Sequence, residues 1–319
     1  MNREPASLYR EKGIMRFSHP AMATVFEVII ANEDLSFAEQ CARAAFEEID
    51  RLEGELSRFL PNSDIARVNN LAPGKSIRVG MDAFECLRLS KKYSRDTSGA
   101  FDVTIGSLMD RLLRNNEDRL RHSDADTTGS GDRVGMELIH LDQSNYSVSV
   151  GRVTPQVDLG AIGKGYAVDR VSELLREWGV GSALVHGGGS SAFAFGDCPE
   201  TCGWPVTISS PVSSGAVVEN IHLRQNALSG SGVVRRSHIV DPRSGGLIGL
   251  RLGAWVCAAT GAESDAISTA CMIMEEAEID RYRQGHPGTW AMICEEGATG
   301  GGLRFVRFGE RREDIRSSA

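Results

Sequence analysis

The chain has 319 residues, 41% of them hydrophobic and 24% charged, with 35 glycines and a formal net charge of −8. A chain of that length can bury one large core or two modest ones, its composition is that of a globular protein, and its acidic balance excludes duplex nucleic acid as an expected partner. Its seven cysteines are odd in number and scattered, and no apolar run reaches a membrane-spanning length, so a cytoplasmic protein with reduced thiols and no membrane anchor is expected.

Residues 1–15 read as a flexible polar leader lacking the apolar core and cleavage site of a secretory signal. "ATVFEVII", rich in β-branched and aromatic residues, predicts a strand. Over 37–57, Ala38, Cys41, Ala45, Ile49, Leu52 and Leu56 recur at helical spacing and predict an amphipathic helix. "FLPNSDIARVNN" carries turn residues and reads as a loop or short turn; a second helix is expected from Asp82, as its N-cap, to Thr97. Residues 114–133 have no periodic apolar face and read as a polar surface excursion, after which "MELIHLDQSNYSVSVGR" predicts hairpin-like strands. A helix over 164–178 presents Ala167, Val168, Val171, Leu174, Leu175 and Trp178 on one stripe and ends at Gly179. "SALVHGGG", "PVTISS", "HIVDP" and "WVCAAT" predict strands, and "SDAISTACMIM" a helix rich in small residues. Strands and helices mix without the alternation of a doubly wound sheet, so the expected fold class is α+β with substantial antiparallel sheet. One domain over 16–310 and a short tail over 311–319 are expected.

Chemistry concentrates in a few segments. In "VDLGAIGKGYAVDRV", residues 157–171, glycines and a lysine precede a helix, where unpaired N–H groups and the helix dipole favour an anion. It is not a P-loop, because Asp158 stands where the first glycine is needed and Gly165 where a Ser or Thr is needed; its glycine spacing is also wrong for a dinucleotide fingerprint. By itself the segment fits a strand-to-helix turn with a solvated lysine equally well. Asp265 and Thr269 in "ESDAISTAC" share one helix face and offer the hard oxygens that Mg2+ prefers, yet a dipole-favoured Asp and a packed Thr would have the same spacing. "SGAFDVTIG" sets Phe101 to lie against a planar ring and Asp102 to hydrogen-bond it, or supplies a core Phe beside an N-cap Asp. "RRSHIVDPRSG" offers His238 as a base or phosphate donor, or as a structural histidine. "HGGGSS" allows close backbone approach to a ligand or a tight turn, and Cys198 and Cys202 lack the second Cys/His pair of a zinc site.

Taken in order, these segments resemble the FAD:protein FMN transferase (ApbE) family. "MATVFEVII" is similar to its opening M-G-T strand, "LSRFLPNSDIARVN" to L-S-x-Y-x-P-x-S-E-L-x-x-L-N, and "SGAFDVTIGSL" to G-A-F-D-P-T-V-G-P-L. "VDLGAIGKGYAVDRV" resembles D-L-G-G-I-A-K-G-Y-A-V-D, while "HIVDPRSG" and "SDAISTA" resemble H-I-I-D-P-x-T-G and A-D-A-L-A-T-A. The resemblance implies a T-fold-like α+β architecture of mixed, largely antiparallel sheets and packed helices. It also implies an enzyme that takes FAD as substrate and Mg2+ as cofactor, transfers FMN to a Thr or Ser hydroxyl of an acceptor flavoprotein in the cytoplasm, and releases AMP. Flavin contacts would then fall to Met22, Phe59, Ala100, Phe101, Asp102, Asp158, Lys164 and Ser237 or His238. The metal would be held by Asp265, Thr269 and the backbone carbonyl of Ala161, with Lys164 at the pyrophosphate and His238 or Asp241 as proton acceptor. Two departures stand out: Gly188-Gly189-Ser190 replaces the family's G-G-D, and "LSGSG" replaces A-T-S-G, with Ser229 or Ser231 standing in. An Mg2+-dependent FAD pyrophosphatase and a flavin-binding module with little turnover are the alternative readings.

Overall fold

The structure, a computed structural model, describes residues 6–11, 13–111, 134–213, 215–232, 239–246, 251–297 and 302–310, with only the backbone course given for 6–11. Its centre is a nine-stranded sheet in the order β1 (Ala6–Glu11), β2 (Ile14–Ala21), β3 (Thr24–Ala31), β7 (Ala183–Gly187), β8 (Ser191–Phe195), β11 (Asn226–Gly232), β12 (Arg251–Ala258), β13 (Trp290–Glu296) and β14 (Leu303–Phe308). Every pairing in it is antiparallel. β9 (Trp204–Ser209) and β10 (Val217–Leu223) form a separate two-stranded sheet, and β4 (Ser76–Arg78), β6 (Ser147–Val150) and β5 (Ile139–Asp142) a three-stranded one. The expected α+β class holds, and the expected mixture of strand directions reduces, among the described residues, to one isolated parallel bridge between Ile105 and Gln156.

β3 explains why the sheet is covered on both faces. Its side chains alternate: Phe26, Val28 and Ile30 enter one core, Ile29 and Ala31 a second. The first core lies under α1 (Leu35–Leu56), α3 (Met81–Asp96), α5 (Gly163–Glu177) and α6 (Gly261–Cys271). The second lies under β9 and β10, through Trp204, Ile208, Ile221 and Leu223. α1 forms because Asp34 caps it, accepting from the Ser36 and Phe37 N–H groups, and because its apolar residues fall on one face, with Cys41, Ala45, Ile49 and Leu52 fully buried. Each large side chain buried this way contributes about 1.5–3 kcal/mol.

Several expectations require correction. The segment expected to be a loop contains a short helix, α2 (Asp64–Asn69), because Ser63 caps it by accepting from the Ala66 N–H at 2.9 Å. The second long helix starts at Met81 with Gly80 as its N-cap; Asp82 lies inside the first turn and spends its carboxylate elsewhere. The leader is shorter than 1–15: Ala6–Glu11 runs as an edge strand, and Met15 is buried in β2. The described part of "HIVDPRSG" is a turn over 239–246 rather than a strand, closed by Asp241 N–H to the Gly246 carbonyl at 2.9 Å. A helix described over 106–111 (α4) and a last one, α7 (Glu276–Gly285), complete the elements used below. The 114–133 excursion and the 311–319 tail lie outside the described residues. Among the described residues no helix is long and apolar enough to cross a membrane.

Candidate active site

α5 begins at Gly163 without a side-chain cap from its own residues. The donor in its first turn is satisfied from across the helix pair, because Asp265 Oδ2 on α6 accepts from the Gly165 N–H at 3.0 Å. The reverse contact also exists. Asp169 on α5 accepts from the Gly261 and Ala262 N–H groups at 2.6 and 2.8 Å and so caps α6. This exchange needs the backbones very close, and glycine supplies that: a Cβ at Gly165 would lie 2.1 Å from the Gly261 carbonyl oxygen, and one at Gly261 2.4 Å from that of Gly165. Burial pushes the Asp169 carboxyl up to about 7, against the two N–H groups that favour its charged form.

The start of α5 is fixed on its other side by Tyr166. Its hydroxyl donates to Asp82 Oδ1 at 2.6 Å, while Arg51 Nη2 donates to Asp82 Oδ2 at 2.6 Å, so α5, α3 and α1 meet at one carboxylate. Burial raises the Asp82 pKa, but the Tyr166 and Arg51 bonds outweigh it and hold the carboxyl below its ordinary value.

Beside this junction opens a cleft of about 480 Å3. The segments predicted to matter meet there: Ala100, Phe101, Asp102, Asp158, Ala161, Lys164, Asp265 and Thr269 all line it. Lys164 Nζ donates to the Gly160 carbonyl at 2.9 Å and lies 3.9 Å from Asp265 Oδ2. Asp265 is buried, and among the described residues no hydrogen bond reaches its Oδ1. Hydroxyls connect α6 to β11: Ser231 Oγ lies 3.0 Å from Thr269 Oγ1 and 2.9 Å from Ser268 Oγ, and Ser229 Oγ lies 2.7 Å from Ser264 Oγ.

Other predicted residues have different surroundings. Asp158 pairs with Arg58 Nε at 2.9 Å and accepts from the Gly160 N–H at 2.9 Å. Asp102 is spent internally, accepting from Thr104 N–H and Oγ1 and from the Met136 N–H; burial pushes its carboxyl up. Phe101 is almost fully buried, edge-on to Tyr93 with centroids 6.4 Å apart. Met22 and Phe59 line a smaller neighbouring cavity of about 180 Å3 that shares Asp158, Gly160 and Lys164 with the cleft. Phe59 is 76% exposed, with the Arg58 guanidinium 4.7 Å from its ring centroid. Asp241 is bound to Arg243, which also pairs with Glu278 at 2.9 Å; its neighbours Val240 and Pro242 line the cleft, and Asp241 itself is not among the lining residues. Ser237 and His238 lie outside the described residues.

Sequence reasoning missed Arg58, whose side chain is 8% exposed and bridges Asp158 and Asp110. A single arginine in a turn-rich segment gives no periodic signal of burial. Ser190 and Ser231, noted only as departures from a pattern, both line the cleft. A larger cavity of about 710 Å3 lies on the far side of Asp102 and Pro242, but it holds neither Lys164 nor Asp265.

The model of the ApbE family matches residues 22–293. The chain belongs to the ApbE family. Among curated proteins of that kind, the FAD:protein FMN transferase of Haemophilus influenzae is 26% identical over 292 residues, spanning 85% of this chain and 84% of that protein. The protein of the same name from Treponema pallidum is 26% identical over 280 residues, 78% of this chain and 76% of its own length. The flavinyl transferase ApbE of Pseudomonas stutzeri, in its apo form, superposes with a TM-score of 0.78 at 23% identity, covering 97% of this chain and 96% of its own. The ApbE protein of Thermotoga maritima superposes at 0.79 and 22% identity, covering 98% and 99%. The ApbE fold therefore extends over nearly the whole chain.

Proposed function

We propose that this ApbE-family chain is an Mg2+-dependent FAD:protein FMN transferase of the cytoplasm, acting on a Thr or Ser hydroxyl of an acceptor flavoprotein. One observation carries the reading: Asp158, Ala161, Lys164, Asp265 and Thr269, drawn from segments about a hundred residues apart, line a single cleft. The family membership and the relatives' names support it.

The residues present fit a hard divalent cation. Asp265 is a buried carboxylate with one oxygen engaged by a backbone donor, Thr269 adds a hydroxyl on the same helix face, and Ala161 lines the same cleft, where its backbone carbonyl would be the third ligand. When bound, Mg2+ would neutralise the pyrophosphate charge and polarise the phosphoryl group. The chain's own groups do the rest. The Lys164 ammonium, seated at the start of α5, supplies positive charge for the pyrophosphate, and the exposed Phe59 face with Met22 bounds the flavin end. Arg58 holds Asp158 in place; Ala100, Phe101 and Asp102 form the inner wall. The acceptor oxygen bonds to the FMN phosphorus, the phosphoanhydride bond to AMP breaks, and the hydroxyl proton passes to a base.

For that base the chain offers His238 and Asp241. Asp241 is committed to Arg243, so Asp241→Asn should leave kcat within about threefold while His238→Ala should lower it roughly 100-fold. The reverse pattern would assign the base to Asp241.

The test of the reading is incubation with FAD, Mg2+ and a Thr-bearing acceptor domain, followed by a denaturing gel read for flavin fluorescence. A labelled domain with stoichiometric AMP is expected. Full AMP release without label would establish the FAD pyrophosphatase instead, and neither product would leave a flavin-binding module.

A further inference from the structure

A second groove, of about 520 Å3, leaves the cleft over the sheet face that β9 and β10 cover. The two spaces share a rim made by Ser190, Gly230, Ser231 and Gly232. From that rim the groove runs between the β7–β8–β11 surface and β9, and residues 205–209 of β9 with Ser210 and Pro211 just beyond it all line the groove. Successive strand side chains point to opposite faces, so an unbroken run of lining residues means that β9 meets the groove edge-on. β9 pairs only with β10 among the described strands, which leaves its other edge unpaired. Pro205 and Pro211 bracket the run, the kind of blunting that keeps an exposed edge from joining another sheet while leaving the residues between them open to a short segment.

We propose that this groove receives the acceptor protein as an extended segment of about six residues added along the β9 edge, delivering its Thr or Ser hydroxyl over the Ser190–Ser231 rim. The inference rests on the transferase reading and deepens it, because a macromolecular acceptor needs a path to the phosphorus that the nucleotide does not fill. The rim is at the right place: Ser231 Oγ is one hydrogen bond, 3.0 Å, from Thr269 Oγ1 in the cleft. Its chemistry is also suitable. Where the family pattern carries a carboxylate this chain has Ser190, so the threshold holds a neutral hydroxyl that neither repels an acidic flank nor claims the incoming proton. The floor carries polar capacity that the fold does not consume: His186 Nδ1 has no hydrogen-bond partner among the described residues. Ile29, Leu184, Leu228 and Trp255 supply the apolar surface on which alternate side chains of a strand would rest.

The test uses the full chain with FAD and Mg2+, and as probe a library of end-capped decapeptides carrying one central threonine. Ser209→Arg and Thr207→Trp crowd the groove at exposed positions of β9, away from every residue assigned to the cleft. Both variants should raise KM for the labelled peptides by roughly tenfold or more, with FAD affinity and peptide-independent AMP release unchanged. Backbone N-methylation of alternate peptide residues should weaken labelling in one register only. Unchanged peptide KM in both variants overturns the groove while leaving the transferase reading standing. Release of AMP by the wild-type chain with no peptide or acceptor domain labelled removes both. If instead the two variants shift the sedimentation of the free protein and leave peptide labelling alone, the groove is a contact between copies of this chain, and the proposal falls.

Discussion

The two aspartates that cap each other's helices began from the same geometry and serve different ends. Asp169 has both oxygens on backbone donors of α6. Asp265 gives one oxygen to α5 and keeps the other for the cleft, with Lys164 near. Cross-capping thus fixes two helix ends with one device, and the end that opens on the cleft keeps a carboxylate oxygen that no hydrogen bond reaches among the described residues. A carboxylate can be buried and structural yet still available to a ligand when only half its acceptor capacity is used.

The sharpest way to break this comparison is Asp265→Asn, which keeps an acceptor for the Gly165 N–H but removes the charge. Turnover of FAD should fall about 1000-fold, roughly 4 kcal/mol of transition-state stabilisation, with the thermal midpoint nearly unchanged. Full turnover would make Asp265 a second Asp169. An alanine there is a poorer probe, because Asp265 is buried and caps α5, so truncation also costs stability. Next in size is Gly165→Ala, whose Cβ meets the Gly261 carbonyl; a loss of about 3 kcal/mol in a urea melt is expected, and a neutral result would mean the helices separate at little cost.

Asp169→Asn should cost about 2 kcal/mol, because one of two buried donors loses its acceptor. It also carries a pH signature. The carboxyl binds its proton up to about 7 in the folded chain and only to its ordinary 3.8 when unfolded, so folding takes up protons between these values. Its contribution is therefore fully present below pH 3.8 and declines as pH rises through 7. The difference in stability between wild type and Asp169→Asn should shift between pH 5 and pH 8, and a pH-independent difference would show the group titrating normally. Smallest is Lys164→Ala, expected to weaken FAD roughly tenfold while leaving riboflavin unaffected in an equilibrium titration; equal losses would remove the lysine from the pyrophosphate.

Much of this was legible in the chain. Periodicity in Ala38, Cys41, Ala45 and Ile49 gave α1, and the run before Gly179 gave α5, because a one-sided apolar stripe is written directly in residue order. The order of motifs gave the cleft: Asp158, Lys164, Asp265 and Thr269 lie together. Less legible was anything decided by a partner distant in sequence. Asp82 has the look of an N-cap, but Tyr166, 84 residues on, and Arg51 claim its oxygens. Asp102 lines the cleft as its segment suggested, but its bonds to Thr104 and the Met136 N–H could not be read from residue order. α2 was hidden because six residues are too few for a periodic signal and Pro and Asn before Ser63 drew attention to the turn.

The contact between Gly165 and Asp265 joins residues 100 apart, and the sheet pairs β3 with β7 and β8 with β11. Loops of that length close slowly, and on a ribosome that adds about 5–20 residues per second the site has no partner for α5 until α6 has emerged. A nascent chain thus lacks the Asp265 acceptor for the Gly165 N–H until α6 has emerged, and translational pausing before α6 would prolong the interval in which the start of α5 is uncapped.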